Sequence, residues 1–289
     1  MDAFFSSLVS GLILGSLYAI MAIGLTVIYG VSHVFNFAHG HIAVLGAYIA
    51  WFLAIEVGAT LGPGVLVAMV LLVLLGWLLY RLPIRHLLRR KEWGFATLLF
   101  TLGLAILLEY TLLEVFGPRV KSIPRFFEGT IRLWFGRVSL HDLALIVISI
   151  AIILSINALL NRTTTGQAMR AVAQSVHGAR LVGIDIDRIY GYTFAFAFVL
   201  TCISGVLLGT KSFMTPHVGW DWMIKGFIIV TFGGLGNVVG AIVAAFTLGS
   251  IEAMVTLYAG TIWIWPAWLL TFILALWFRP QGILGGRTA

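Results

Sequence analysis

His39 and His41, two residues apart, are the nearest thing in this 289-residue chain to a metal-binding pair. No Asp, Glu or Cys lies close enough in sequence to complete a four-ligand site, so no metal is expected. Other chemistry is equally sparse. There is no G-x-x-x-x-G-K-S/T run to cradle phosphates and no G-x-S-x-G nucleophile elbow, so ATP hydrolysis and enzymatic activity are not expected of this chain. Glu109, Glu114 and Glu252 stand in or at the edge of apolar runs. There an ionisable group is a functional candidate by default, unless it is hydrated at an interface or paired with Lys or Arg at a helix end.

The composition explains the sparseness. Hydrophobic residues make up 61% and charged residues 10%, with a mean hydropathy of +1.05. Soluble globular domains carry about a quarter charged residues. The apolar residues come in repeated runs of about 20, the length that crosses a bilayer as helix. This is the pattern of an all-α polytopic membrane protein forming one transmembrane domain over 1–289. The net charge of +7 lies in the connecting loops, as membrane topology signals do, which argues against nucleic acid as a partner. The start, Met1-Asp2-Ala3, lacks a basic region and its apolar run is too long for a signal peptide. Cys202 is the single cysteine, so no intrachain disulfide forms.

Expected spans cover about 4–29, 41–55, 65–80, 94–115, 143–160, 190–208 and 261–278, with a long interrupted stretch over 222–258. Together they make roughly eight or nine crossings or re-entrant pieces. Two breaks stand out, VSHVFNFAHG at 31–40 and TFGGLGNVVG at 231–240. Each puts an Asn and small residues into apolar sequence. Irregular backbone at membrane depth survives where protein or a cavity covers it, and paired breaks in two halves point to a transport path. Ordinary turns with close-packed glycines explain them equally well.

Between the spans lie a basic loop at 81–92, a polar insertion at 116–141 that is irregular or partly hairpin, and the polar stretch 161–188. The first and last share a side. With Arg279 and Arg287 they outnumber the basic residues of the insertion, so they are expected to be cytoplasmic and the insertion external. In 161–188 the Thr163–Thr165 hydroxyls offer caps, and 167–180 reads as a helix with Ala168, Met169, Val172, Val176 and Ala179 on one face. Gly183 is a natural stop. Such a helix lies on lipid, forms a solvated connector or fills a groove on a partner; the partner is favoured. The insertion carries Arg119, Lys121, Arg125, Arg132 and Arg137. That charge fits either lipid headgroups or the docking of an acidic soluble protein, through Arg119, Lys121 and Arg125 foremost.

Three stretches, GSLYAIMAIGLTVIYGVSHVFNFAHGHIAVLGAYIA, TGQAMRAVAQSVHGARLVGID and FGGLGNVVGAIVAAFTLGSIE, resemble the LivH-type permease subunit of branched-chain amino-acid ABC importers, in order along nearly the whole chain. The insertion matches that family least. The resemblance implies a permease fold with pseudo-repeated halves in the bacterial inner membrane. It also implies a LivM-like second permease subunit, two cytoplasmic ATPases that hold ATP and Mg, and an extracytoplasmic solute-binding protein. The chain itself would hold no cofactor. Gly166, Arg170, Ala171, Gly178, Ala179, Gly183 and Asp185 would form the coupling contact with an ATPase. Asn36, Phe37, Ala38, His39, Gly40, Gly233, Gly234, Gly236, Asn237 and Glu252 would shape the translocation path, working by alternating access. Permeases of urea and short-amide importers are closely similar. A stand-alone secondary transporter and an intramembrane enzyme remain the readings from other classes.

Overall fold

The computed structural model describes residues 2–133 and 136–285; Met1, Trp134, Phe135 and Arg287, used or counted above, lie outside them. Among the described residues twelve α-helices form, because long apolar runs in lipid must satisfy their backbone internally. They are α1 (Asp2–Ser32), α2 (His39–Ile55), α3 (Leu61–Leu79), α4 (Arg85–Leu87), α5 (Trp93–Phe116), α6 (Leu140–Arg162), α7 (Thr164–Gln174), α8 (Val176–Leu181), α9 (Ile186–Lys211), α10 (Val218–Gly233), α11 (Val238–Tyr258) and α12 (Ile264–Phe278). A turn of π-helix over Tyr80–Ile84 joins α3 to α4. It contains Pro83, which has no N–H to give the ladder. The insertion forms an antiparallel hairpin, β1 (Thr130–Leu133) with β2 (Gly136–Ser139), pairing Thr130 with Ser139 and Arg132 with Arg137.

Among the described residues seven helices are long and apolar enough to cross a bilayer: α1, α3 continued through α4, α5, α6, α9, α11 and α12. The chain is a multi-pass membrane protein. The other two apolar segments of the sequence are shorter helices, α2 with 17 residues and α10 with 16. α1 and α9 form the buried centre, and α1 packs on α6, α9, α10 and α11. α3, α5, α6 and α12 turn most of their surface outward. The 81–92 and 161–188 loops meet at one end, where Arg85 and Arg89 share a cavity with Arg180 and Asp185. The insertion sits at the other: Lys121 exchanges backbone hydrogen bonds with Met214 just beyond α9, and β2 packs on α1 and α6. These are the loop end and the hairpin end.

Both short helices begin inside the bundle. At the start of α2, His39 Nε2–H donates to Met21 O at 3.0 Å. Met21 lies roughly 16 Å from the Ser32 end of α1 at 1.5 Å per residue. The break at 33–38 therefore turns the chain back into the protein, and α2 then runs to the hairpin end, where Lys121 sits over the Trp51 ring. α10 starts against α2 and runs the opposite way. A Cβ on Gly40 would lie 2.0 Å from Gly219 O, and one on Gly205 in α9 would lie 2.1 Å from Ala43 O. The three backbones touch directly, which only glycine allows. Gly11 and Gly15 likewise seat α1 on Ser250 and Phe246 of α11.

The glycine-rich 231–240 segment differs from its partner break. It is a tight turn between α10 and α11 at the loop end, where a Cβ on Gly233 would strike Gly240 O at 2.4 Å. Ile283 N donates to Phe232 O and Asn237 Nδ2 donates to Leu284 O at 2.7 Å, so the C-terminal segment wraps it. A second short break, 212–217 with Thr215-Pro216, precedes α10.

A buried ion pair ties α10 to α11. Lys225 Nζ lies 2.8 Å from Glu252 Oε1, and both are largely buried. Tyr18 OH donates to Glu252 Oε2 at 3.1 Å, and Trp268 Nε1–H donates to the same oxygen at 3.0 Å. Every polar atom of the cluster is thus engaged, which is the condition under which buried charge is tolerable.

Two outcomes follow. Gly205→Ala is expected to lower the thermal midpoint of the purified protein in detergent, an overpacking cost of about 1–3 kcal/mol. Gly103→Ala, whose Cβ meets nothing within 4 Å, should not; equal melting would remove the close-approach argument. Glu252→Ala should cost about 3–5 kcal/mol by stranding Lys225, while the paired change Lys225→Met with Glu252→Leu should recover much of it. The same melting assay checks both.

Candidate functional site

The 161–188 stretch is built as two helices rather than the single one expected over 167–180. Thr163 Oγ1 accepts from Gly166 N at 3.1 Å to cap α7, and Ser175, in extended backbone, accepts from Gly178 N at 3.0 Å to cap α8. Ser175 interrupts the run because its hydroxyl serves a new helix start better than a helix interior. Gly183 does end the segment, with φ at +81° and its N–H on Arg180 O. Asp185 then caps α9, accepting from Arg188 N at 3.2 Å and pairing with Arg188 Nε at 3.0 Å.

The apolar face points into this chain. Met169 and Val172 are buried where α7 packs on α1, α6 and α9, and Ala179 where α8 packs on α7 and α9. Gly166 is a contact within the chain, since a Cβ there would lie 2.3 Å from Leu159 O. Ala171 is half-buried. The surface offered outward is the polar face, with Arg170, Gln174, His177 and Arg180, and an apolar tip that sequence reading missed. Leu181 and Val182 are 76% and 75% exposed. Their position immediately before Gly183 was the available signal, because side chains at a helix stop have little of their own chain to pack on.

Below the tip, Tyr80 OH donates to Asp187 Oδ1 at 2.8 Å and Arg85 pairs with the other oxygen. This fastens the basic 81–92 loop to the first turn of α9. An ≈620 Å³ cavity separates it from α8, lined among others by His33, Arg89 and Arg180. His33 closes α1 at φ +57°, the one non-glycine residue with positive φ among those described. A second cavity, ≈740 Å³, lies between α6, α7 and the α10–α11 turn and brings together Arg170, Gly236 and Asn237.

The expected path residues fall into separate places. Asn36 is buried, and its Oδ1 accepts from Ala38 N at 3.1 Å to form the turn that starts α2. Phe37 is half-buried and stacks on Phe227 of α10 at 6.4 Å. His39 reaches Met21 O and lies 3.2 Å from Thr201 Oγ1 of α9. Gly40 meets α10, whereas Gly233, Gly234, Gly236 and Asn237 lie at the loop end. Glu252 sits in its ion pair toward the hairpin end, beside an ≈280 Å³ cavity that also reaches Asp221 and Lys211.

Residues two apart on a helix face different ways, so the His41 ring turns away from that of His39. It meets Trp220 at 4.9 Å and lies 3.8 Å from Glu109 Oε2. Glu109 also accepts from Trp220 Nε1–H at 2.7 Å and pairs with His217 Nδ1. One carboxylate thus binds α2, α5 and the start of α10. The sequence marked Glu109, but not His217 and Trp220, which lie 108 and 111 residues away. Glu114 is exposed. At the hairpin end Arg119 and Arg125 are exposed, while Lys121 is engaged by Trp51.

Known proteins extend this picture. The family model described as branched-chain amino acid transport system / permease component matches residues 7–278. The chain is 28% identical over 299 residues to the high-affinity branched-chain amino acid transport system permease protein LivH of Escherichia coli (strain K12), covering 98% of this chain and 96% of the relative. It is 30% identical to BraD of Pseudomonas aeruginosa, named for the same type of system, with the same coverage. A probable LivH of Methanocaldococcus jannaschii is 25% identical over 95% of this chain and 90% of its own. No solved structure matches significantly. A transmembrane bundle with an outward-facing loop helix, aligned end to end with such relatives, belongs to the family of permease components of branched-chain amino acid transport systems.

Proposed function

We propose that the chain is the permease subunit of an ATP-driven ABC importer in the bacterial inner membrane, moving branched-chain or other aliphatic amino acids. A LivM-like second permease, two cytoplasmic ATPases and an extracytoplasmic binding protein complete the machine. The observation that carries this reading is the α7–α8 loop. It is firmly seated on α1, α6 and α9, yet it presents Leu181 and Val182 to the outside at the end where basic residues gather. A rigid peg with an apolar tip is what a partner groove grips.

Force applied at the tip has a short route inward. It passes from α8 through Gly183 and Asp185 to the base of α9. In mid-helix Thr201 of α9 meets His39, the first residue of α2. α2 and α10 start back to back inside the bundle and run in opposite directions, each following a long helix and a short break. We read α1–α2 and α9–α10 as the matching pieces of two oppositely directed halves. Alternating access then consists of one half rocking on the other about the Gly40–Gly219 contact. Asn36, Phe37, His39 and Gly40 lie along that seam. Glu109 and Glu252 hold its hairpin end closed, and the α10–α11 turn with Gly233, Gly234, Gly236 and Asn237 moves at the loop end.

The insertion supports docking of an acidic binding protein. Arg132 and Arg137 stand directly opposite each other in the hairpin, a like-charge pair that destabilises a strand pairing unless an anion lies between. Arg119 and Arg125 are exposed beside them, whereas Lys121 serves the fold.

Leu181→Asp with Val182→Asp is expected to cut uptake by about tenfold or more, the loss of ~1.5 kcal/mol of burial per apolar anchor. The ATPase activity of the assembled complex should then no longer respond to loaded binding protein. Gly178→Trp and Arg170→Glu should uncouple in the same direction, and normal uptake with membrane levels unchanged in all of them sinks the coupling role. Reversing Arg125, Arg132 and Arg137 to Glu should raise the apparent KM for loaded binding protein, more at low than at high salt. A KM that does not move at low salt removes the docking surface.

A further inference from the structure

We propose that the ≈740 Å³ cavity at the loop end is a binding site for an anionic phospholipid, with Arg170 as the ligand of its phosphate. α1 forms the floor through Tyr29 and Gly30, α6 and α11 form the two walls, and α7 closes the end. The lining changes character with depth. Its polar side chains, Arg170, Asn157 and Asn161 among them, gather near the loop end beside Leu160 and Leu235; one to two turns deeper along α6 and α11 it is Ile153, Leu154 and Ile242. That gradient runs along the helix axes, as the headgroup and acyl chains of a lipid do, and a small soluble anion has no use for the apolar half.

The charges are complementary. Arg170 is exposed and makes no hydrogen bond or ion pair among the described residues. No carboxylate lines the cavity. Asn157 spends its side-chain oxygen on Asn161 Nδ2 at 2.6 Å, which leaves its own amide N–H groups to donate. Guanidinium and amide donors together match a phosphodiester. Sideways access is present too: Leu154 and Val239 on the opposing walls are 62% and 60% exposed, so the cavity opens on the outer surface of the bundle. Its volume falls within the range of ligand pockets and accommodates a headgroup with the first part of its chains, leaving the rest in the bilayer. Basic pockets between spanning helices on the cytoplasmic side suit anionic headgroups.

The inference rests on the loop end facing the cytoplasm, but not on transport. Lipid in this position would touch α7 and the α10–α11 turn at once, the two elements that the proposed mechanism moves.

The test is lipid retention by the full chain, purified alone and with its partner subunits. Protein reconstituted in nanodiscs of phosphatidylcholine containing phosphatidylglycerol is released and its retained lipids are counted by native mass spectrometry. Wild type should keep phosphatidylglycerol in preference to phosphatidylcholine. Arg170→Ala should lower that preference about fivefold, the factor expected for one basic side chain near an anionic headgroup. Val239→Trp, which fills the apolar half without touching a charge, should also expel it, and Arg81→Ala, exposed in the π-helical turn after α3, should not. Equal retention of both lipids, or retention unchanged in both Arg170→Ala and Val239→Trp, overturns the proposal. So does displacement by inorganic phosphate alone, which would mark a free-anion site, or loss of the lipid on assembly with the ATPase, which would mark a protein contact. Because retention is measured without uptake, a failed coupling experiment and a failed lipid experiment are separable.

Discussion

Gly40 and Gly219 meet with no room for a β-carbon between them, and the architecture depends on that contact. A helix that starts inside a bundle leaves its first N–H groups without intrahelical partners. In lipid each would cost several kcal/mol if left bare. The chain accepts two such starts by pressing them together and shielding them with α1, α5 and α9. Asn36 supplies the turn ahead of one, and Glu109 takes the indole and imidazole N–H groups beside the other. Larger residues at either glycine would part the helices and open both ends at once.

Around this seam the charged groups have separate duties. Lys225, Glu252 and Glu109 are buried and engaged by several partners, the exposed His217 among them, so these pairs hold helices together toward the hairpin end. Arg85 and Asp187 do the same at the loop end. The exposed Arg119, Arg125, Arg132 and Arg137 have no comparable structural role and belong to the surface. A count of intramembrane charges alone would treat these groups alike; partner geometry distinguishes a fastening from a recognition surface.

On the proposed reading, the loop end is where energy enters and the hairpin end is where solute arrives. The α7–α8 peg suits its part because its apolar face is consumed in seating it on α1, α6 and α9. Only the Leu181–Val182 tip and the polar face remain for a partner. An amphipathic helix that spent its apolar face on the partner would be loosely held in the permease and would transmit little motion.

Much was legible without coordinates. Apolar runs of bilayer length determine that the protein spans the membrane, because no soluble fold could bury them. The three matching stretches point to the family, and glycine and threonine chemistry marks the stop at Gly183 and the cap at Thr163. Distance in space was not legible. The periodicity of 167–180 shows an apolar face but not what it packs on, and a serine that restarts a helix looks like one within it. Two breaks of similar composition became different objects, 33–38 a return into the bundle and 231–240 a turn at its rim. Lys225 looks like any basic residue until α10 and α11 lie side by side, and His217 and Trp220 look unrelated to Glu109 until α10 starts beside α5. Local sequence determines which segments enter the membrane, through transfer free energy. Which of their polar groups meet is decided by packing between different helices, from 27 residues apart for Lys225 and Glu252 to 108 for Glu109 and His217, and so only by the tertiary structure.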